Sequence, residues 1–259
     1  MENPKCNYCG SDFSNHTTIY VDVKNTKHNL VECNNCKLRF YSPRIPFSQY
    51  LEQGFGTNWA AEEEAERMFN NGSFMPVPDP VYQKQILLSY YNKVVISKLF
   101  KYRKEINNLY EIAGSVGYLS SFIKQKYPNI QIDGCELNKY SVKKANEQFG
   151  LNYEAGVFLD KPIKENNYDA VLAMDYIEHT FTPFDDLKKM NKLLKSNGII
   201  FMKTFLEELD INRTMEAPIG HSHHFFGYVL RKMIEDSGFK IVEWVLENEQ
   251  VIIIGQKNG

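Results

Sequence analysis

Leu109-Tyr110-Glu111-Ile112-Ala113-Gly114-Ser115-Val116-Gly117-Tyr118 decides how this chain folds. A β-rich run ends here, and small residues then cluster where the chain must turn tightly before a helix opens. Small side chains at such a turn let the backbone come close to a ligand at the helix N-terminus. About twenty residues on, Ile130 to Glu136 reads as a second strand that finishes with an acid. In a doubly wound sheet an acid at that place accepts hydrogen bonds from the ribose hydroxyls of a bound nucleoside, which is the role expected of Glu136.

Outward from this turn, β-rich runs alternate with helical stretches. Before it, Ile86, Leu87, Tyr90, Val94, Val95 and Leu99 recur with a helical period and predict one packed helix over Val81 to Phe100. After it, strands are expected over Asn108 to Ala113, Ile130 to Glu136, Tyr168 to Asp175 and Ile199 to Phe205, each of the first three followed by a helix. Such alternation predicts parallel strands joined by right-handed crossovers. Phe184, Leu187, Met190, Leu193 and Leu194 form the stripe of the helix before Ile199, with Asn197-Gly198 as its expected stop. A helix near Tyr228 to Asp236 ends at Ser237-Gly238. Phe239 to Leu246 and Gln250 to Gly255, separated by Glu247-Asn248-Glu249, then predict a terminal antiparallel hairpin.

The dinucleotide fingerprint Gly-x-Gly-x-x-Gly is not met. With Glu111 ahead of the small residues, the turn instead resembles motif I of class I S-adenosylmethionine-dependent methyltransferases, acid-x-Gly-x-Gly-x-Gly. Ala113 and Ser115 stand at two of its glycines and Gly117 at the third. Tyr168 to Asp175, followed by Tyr176-Ile177-Glu178-His179, looks like that family's fourth strand and its Glu-His tail. Leu193-Leu194-Lys195-Ser196-Asn197-Gly198 resembles its Leu-Leu-Lys-Pro-Gly-Gly turn, and the hairpin is similar to its sixth and seventh strands.

The resemblance runs from about Val81 to Gly259 and implies an α/β, Rossmann-like sheet of seven strands, parallel except for the C-terminal antiparallel hairpin. It implies S-adenosyl-L-methionine as cofactor. The residues expected to hold it are Glu111, Ala113, Gly114, Ser115, Gly117, Tyr118, Glu136, Leu137, Phe158, Met174 and Asp175. Methyl transfer is an in-line displacement in which the protein aligns donor and acceptor, with a base where the acceptor must lose a proton. His179 is the first choice for that base, because it follows the fourth strand at the carboxyl edge of the sheet. Its alternative is a histidine that only caps or packs. Glu178 either orients His179 or bonds to backbone. His221, His223 and His224, in the loop after the fifth strand, are further candidates to orient or deprotonate the substrate. A metal at this histidine cluster is the weaker reading, since no carboxylates cluster beside it in sequence.

Cys6-Asn7-Tyr8-Cys9 and Cys33-Asn34-Asn35-Cys36 form two Cys-x-x-Cys knuckles. Two such knuckles complete a closed tetrahedral zinc site, with no open position, whose metal supplies folding energy to a knob too small for a core. A disulfide pair or unrelated thiols are the alternative. His16 and His28 are surplus, and Cys135 reads as a small buried hydrophobe. The expected organisation is a zinc-ribbon-like module over 1–42, a linker and lid over 43–80 around the acidic run Glu62 to Glu66, and the methyltransferase domain over 81–259. A zinc-knuckle head before such a domain resembles bacterial methyltransferases of sugar and surface-glycan pathways.

Composition narrows the partners. With 43% hydrophobic residues, 24% charged residues and a net charge of -2, the chain can bury a core but offers no field for a polyanion. An RNA methyltransferase that grips nucleic acid through the head is therefore the second reading, with Arg39 and Arg44 too few to track a backbone. A non-catalytic module that has lost the cofactor is the third. The N-terminus has no apolar leader and no stretch is long enough to span a bilayer, so a cytoplasmic protein with a small-molecule methyl acceptor is expected.

Overall fold

The computed structural model describes residues 2–14, 19–21, 27–50, 80–162, 164–209, 221–247 and 250–259. Most of the expected lid, with Glu62 to Glu66, lies outside the described residues, as do His16 and the side chain of His28. Strands β1 (Phe13–Ser14), β2 (Ile19–Val21), β3 (Lys27–Cys33) and β4 (Arg39–Tyr41) precede a helical turn, α1 (Phe47–Tyr50). A long helix follows in three parts: α2 (Pro80–Tyr90), a π-helical stretch (Tyr91–Ile96) and α3 (Ser97–Tyr102). Then come β5 (Asn108–Ile112), α4 (Tyr118–Lys126), β6 (Gln131–Glu136), α5 (Lys139–Phe149), β7 (Asn152–Ala155), β8 (Tyr168–Met174) and α6 (Pro183–Leu193). The chain closes with β9 (Leu194–Phe205), β10 (His223–His224), α7 (Gly227–Asp236), β11 (Phe239–Glu247) and β12 (Gln250–Lys257).

The main sheet has seven strands in the order β11-β12-β9-β8-β5-β6-β7. Its five strands from β9 to β7 are parallel, and β12 runs antiparallel between β9 and β11, which is the expected α/β sheet with a C-terminal hairpin. The central strands are near-continuous apolar runs because both faces are covered. Leu109, Leu172, Phe201 and Ile252 pack on one side with Val95 and Leu99 of the long helix, Ile123 of α4 and Ala145 of α5. Val171, Ile200 and Met202 pack on the other with Leu187 and Met190 of α6 and Leu230 and Met233 of α7. Among the described residues no helix is long and apolar enough to cross a membrane.

The structure departs from the sequence reading at four places. The short edge strand β7, implied by the count of seven, was given no position, since Asn152-Tyr153-Glu154-Ala155 is too brief to show a period. Helix α6 stops at Leu193, before the expected Asn197-Gly198 stop. Leu194 already pairs with Tyr168, and the register then shifts to Ala170 opposite Ile199, so Asn197, with φ +59°, bends a strand and caps no helix. Ile86 is 45% exposed although Val95 and Leu99 are buried, because the π-helical stretch between them rotates the apolar face. Finally, the N-terminal residues do not form a separate sheet. Strands β1, β3, β4 and β10 make one sheet, with β2 on β3, and β10 comes from the loop after β9. His223 pairs with Phe40 and His224 with Arg39.

At the amino end of β8, Asp169 is 1% exposed and joins three elements. It accepts from Arg103 at 2.8 Å after α3, from the backbone N–H groups of Asn107 and Asn108 at 2.9 and 3.0 Å, and from Lys195 at 3.0 Å. Burial works against its charge, but these donors outweigh burial and hold the carboxyl at about 2, below its ordinary 3.8. The unfolded chain therefore binds the extra proton in that window. Roughly 2 kcal/mol of stability, present above pH 3.8, is expected to disappear as pH falls to about 2. Asp169→Asn should lower unfolding free energy at pH 7 by about 2–4 kcal/mol and flatten this acid limb, as read by urea unfolding across pH.

Candidate cofactor and acceptor site

The turn after β5 is built on left-handed backbone at alternate residues: Ala113 has φ +54°, Ser115 +52° and Gly117 +79°. These are the three places at which the resembling motif carries glycine. Ala113 and Ser115 keep that conformation at a cost of about 1–2 kcal/mol each. Gly117 has a second constraint. A Cβ there would stand 2.5 Å from Leu151 Cδ1 and 3.1 Å from Ala145 Cβ, so its bare backbone lets α4 seat against α5. Gly114 clears a different neighbour, since its Cβ would lie 2.5 Å from the Tyr153 hydroxyl.

That hydroxyl belongs to a buried polar floor. Tyr153 and Ser120 both donate short hydrogen bonds to Oε2 of Glu111. Burial pushes Glu111 up to about 7, partly opposed by these donors. Beside it, Glu136 accepts from the backbone N–H of Ser115 at 3.0 Å and from that of Asn138 at 2.9 Å. Burial raises the Glu136 carboxyl, while those backbone donors favour its charge. The backbone N–H of Leu137 is a third donor, and three donors still leave a carboxylate an acceptor position for a ligand.

Above this floor, at the carboxyl ends of β5, β6 and β8, lies a cavity of about 470 Å³, within the range of small-ligand sites. Glu111, Ala113, Gly114, Ser115 and Tyr118 line it, as do Glu136, Leu137, Phe158, Met174 and Asp175. Gly117 alone among the expected cofactor residues does not, because it faces α5. The sequence reading missed Phe47 of α1, Tyr91 of the π-helical stretch, and Tyr176 and Thr180 beyond β8, all of which line the cavity. Tyr91 had one legible signal, a helical period that drifts; Phe47 had none.

At the far end His179 lines the cavity, its ring edge-on to His221 with centroids 4.7 Å apart. Glu178 does not line it. Its Oε2 accepts from Thr204 Oγ1 at 2.8 Å, and burial, with Asp175 adding repulsion, pushes the carboxyl up to about 8. The three loop histidines do not share one place. Strand pairing with β4 carries His223 and His224 into the N-terminal sheet, outside the cavity lining. His223 Nδ1 lies 2.9 Å from the Thr180 carbonyl, and burial, helped by Arg44, pushes it down to about 3. His224 Nδ1 lies 3.0 Å from Glu207, which also accepts from Arg39 at 2.9 Å.

The four N-terminal cysteines converge, their sulfurs within 4.8 Å of one another. Cys6 and Cys36, and Cys9 and Cys33, have Sγ atoms 3.4 Å apart, too far for a disulfide. Sulfurs placed tetrahedrally about 2.3 Å from one ion are about 3.8 Å apart, so the cluster fits a single metal. Both knuckles turn alike, with Gly10 at φ +72° and Lys37 at +66°. Within the first, Asn7 Oδ1 accepts from the N–H of Phe184 at 3.0 Å and Tyr8 packs edge-on to Phe184, which fastens the knuckle to the start of α6. Cys135 is buried as expected, beneath the cavity.

The turn makes two opposite substitutions informative. Gly114→Ala should cost about 1–3 kcal/mol by forcing Tyr153 off Glu111. Ala113→Gly should be neutral or stabilise by up to about 1 kcal/mol, since relief of left-handed strain offsets the added freedom of the unfolded chain. Denaturant midpoints of the two variants read both effects.

A family model described as methyltransferase domain matches residues 82–244, more than half of the chain. No curated protein matches the chain. Among solved structures, the PH0226 protein from Pyrococcus horikoshii OT3 is 16% identical with a TM-score of 0.56, over 74% of this chain and 99% of that one. An S-adenosylmethionine-dependent methyltransferase from Mesorhizobium loti is 9% identical with a TM-score of 0.54, over 64% and 98%. The cyclase SpnF is 14% identical with a TM-score of 0.55, over 63% and 80%. These likenesses show the fold; the family match, over the turn, the cavity and the hairpin strand β11, shows that the chain belongs to the methyltransferase-domain family and is an S-adenosylmethionine-dependent methyltransferase.

Proposed function

We propose that this enzyme methylates a small-molecule acceptor, a sugar, nucleotide-sugar or phosphorylated intermediate of surface-polysaccharide biosynthesis. The observation that carries a small acceptor is the cavity itself. It is about 470 Å³ in volume, and both Glu136 and His179 line it. The net charge of -2 gives a nucleic acid no compensating attraction. The sugar pathway rests on the order of a Cys-x-x-Cys head before a class I domain, with Cys6, Cys9, Cys33 and Cys36 holding a structural Zn²⁺.

The cofactor's sulfonium supplies a methyl carbon already activated for displacement. The protein's own part is placement. The turn from Ala113 to Ser115 offers backbone at close approach for the amino-acid end, and Glu136 keeps an acceptor position for the ribose. Phe158, Leu137 and Met174 supply apolar walls, and Phe47 and Tyr91 cover the cavity from outside the sheet. His179 engages the acceptor, within reach of Thr180. Exclusion of water by these aromatic walls strengthens each polar contact within.

Calorimetry with S-adenosylhomocysteine tests the cofactor site. Binding is expected, with Glu136→Gln weakening it about tenfold to a hundredfold; no heat at millimolar ligand would sink the reading. Incorporation of labelled methyl into one member of a nucleotide-sugar panel tests the acceptor class, and labelling of RNA alone would replace it. Metal analysis should find one zinc per chain. Cys33→Ser should lose it and lower the melting temperature, because Cys33 shares a core with α7.

A further inference from the structure

Where His179 lines the cavity, it belongs to a second group of metal-ligating side chains, assembled from distant parts of the chain. Glu178 and His179 follow β8, and His221 arrives from the loop before β10. A carboxylate oxygen of Glu178 and one ring nitrogen from each histidine lie within 4.8 Å of one another. Ligands bound at about 2.1 Å to one ion stand about 3–4 Å apart, so modest side-chain rotation brings all three into register.

Glu178 supplies an independent observation. It is 1% exposed, and while Oε2 accepts from Thr204, Oε1 is buried with no hydrogen-bond partner. A buried carboxylate with one bare oxygen is costly unless a cation or proton satisfies it. Lys203, whose charge favours the ionised carboxylate, is bonded to Asp175 at 3.5 Å. Thr204 meanwhile fixes the carboxylate's orientation in the manner of an outer-shell partner at a metal site.

We propose that Glu178, His179 and His221 bind one divalent first-row transition-metal ion, with an open coordination position facing the cavity for an oxygen of the methyl acceptor. The donor set, two imidazoles and one carboxylate, suits Mn²⁺, Fe²⁺, Co²⁺ or Zn²⁺ and leaves positions free for ligand, unlike the closed set of four thiolates at the N-terminus. The acceptor it selects presents a hydroxyl or carboxylate oxygen beside the transferred methyl. This deepens the proposed function and rests on it for the acceptor's identity, but not for the ion. His179 then acts as a ligand, and the ion draws charge from the acceptor oxygen in place of a free imidazole base.

The test uses the full chain, loaded with zinc at its cysteines and freed of loosely held metal, titrated with Mn²⁺ and followed by electron paramagnetic resonance. Mn²⁺ does not displace zinc from thiolates, so the two sites report separately. The expected result is one Mn²⁺ taken up per chain, weakened at least tenfold in His221→Ala and in His179→Gln and several-fold in Thr204→Val. Lys240→Ala, exposed on the hairpin strand β11, should bind as the parent does. No uptake at 1 mM Mn²⁺, on the order of a thousand times a micromolar site, would overturn the proposal; so would uptake unchanged in both histidine variants. Thermal melts confirm that each variant is folded, and the pair of histidine variants keeps the test open if one is not. S-adenosylhomocysteine calorimetry on the same samples separates the two readings. Ligand binding without Mn²⁺ uptake removes the metal site alone, and Mn²⁺ uptake without ligand binding leaves it standing while the methyl-transfer reading of the cavity falls.

Discussion

One buried contact governs the geometry of the active cavity: the Tyr153 hydroxyl against the carboxyl of Glu111, with Ser120 as second donor. Tyr153 sits on the edge strand β7 and Glu111 on the central strand β5, so the bond spans β6. The space it needs is provided by two glycines. A Cβ at Gly134 would meet the Glu111 carbonyl at 2.6 Å and the Tyr153 ring at 2.7 Å, and one at Gly114 would meet the same ring. The left-handed turn above is held down by this packing, and its Ser115 N–H is thereby presented to Glu136. A local rule is broken at Ala113 and Ser115, and the strain sits in the lining of the cavity.

The N-terminal cysteine cluster is tied to the catalytic fold by more than a linker. Strand β10 completes its sheet, Asn7 and Tyr8 grip α6, and Arg39 lies over Phe226 while bonding Glu32 and Glu207. Val31, Cys33 and Phe40 share one continuous core with Phe225 and Leu230. The loop that carries His221 is anchored at its far end by that sheet, through the His223 N–H to the Glu178 carbonyl at 3.1 Å. The cysteine cluster is therefore joined to the end of the loop after β9 through strand pairing and hydrogen bonds, with no side chain of its own in the cavity lining. The head positions the loop, and the loop positions the histidine.

How much of this was legible in the sequence follows from which contacts are local. The strands β5, β6, β8 and β12, their helices and the hairpin announce themselves through apolar runs and short-range period, because burial on both faces leaves no choice of residue. The turn from Glu111 to Gly117 and the acid at Glu136 were readable for the same reason, since backbone conformation and ligand approach constrain residue size within a few positions. The Cys-x-x-Cys pairs likewise carry their spacing in the chain. Gly117 was read as a cofactor residue because its motif position is local information, whereas its neighbours Leu151 and Ala145 are not.

What only the tertiary structure decided are the meetings of distant segments. The three clustered histidines are equivalent in sequence, yet strand pairing sends His223 and His224 to Arg39 and Phe40 and leaves His221 beside His179. Glu178 lies 43 residues from His221 in the chain, and only the fold brings its carboxylate beside His179 and His221. The chain alone thus determined the class of fold and the cofactor's cradle, where the constraint acts through backbone conformation and short-range burial. The cavity walls away from that turn were decided by folding, because they come from α1, the helix before β5 and the tail of β8, and no local pattern records which of them will touch.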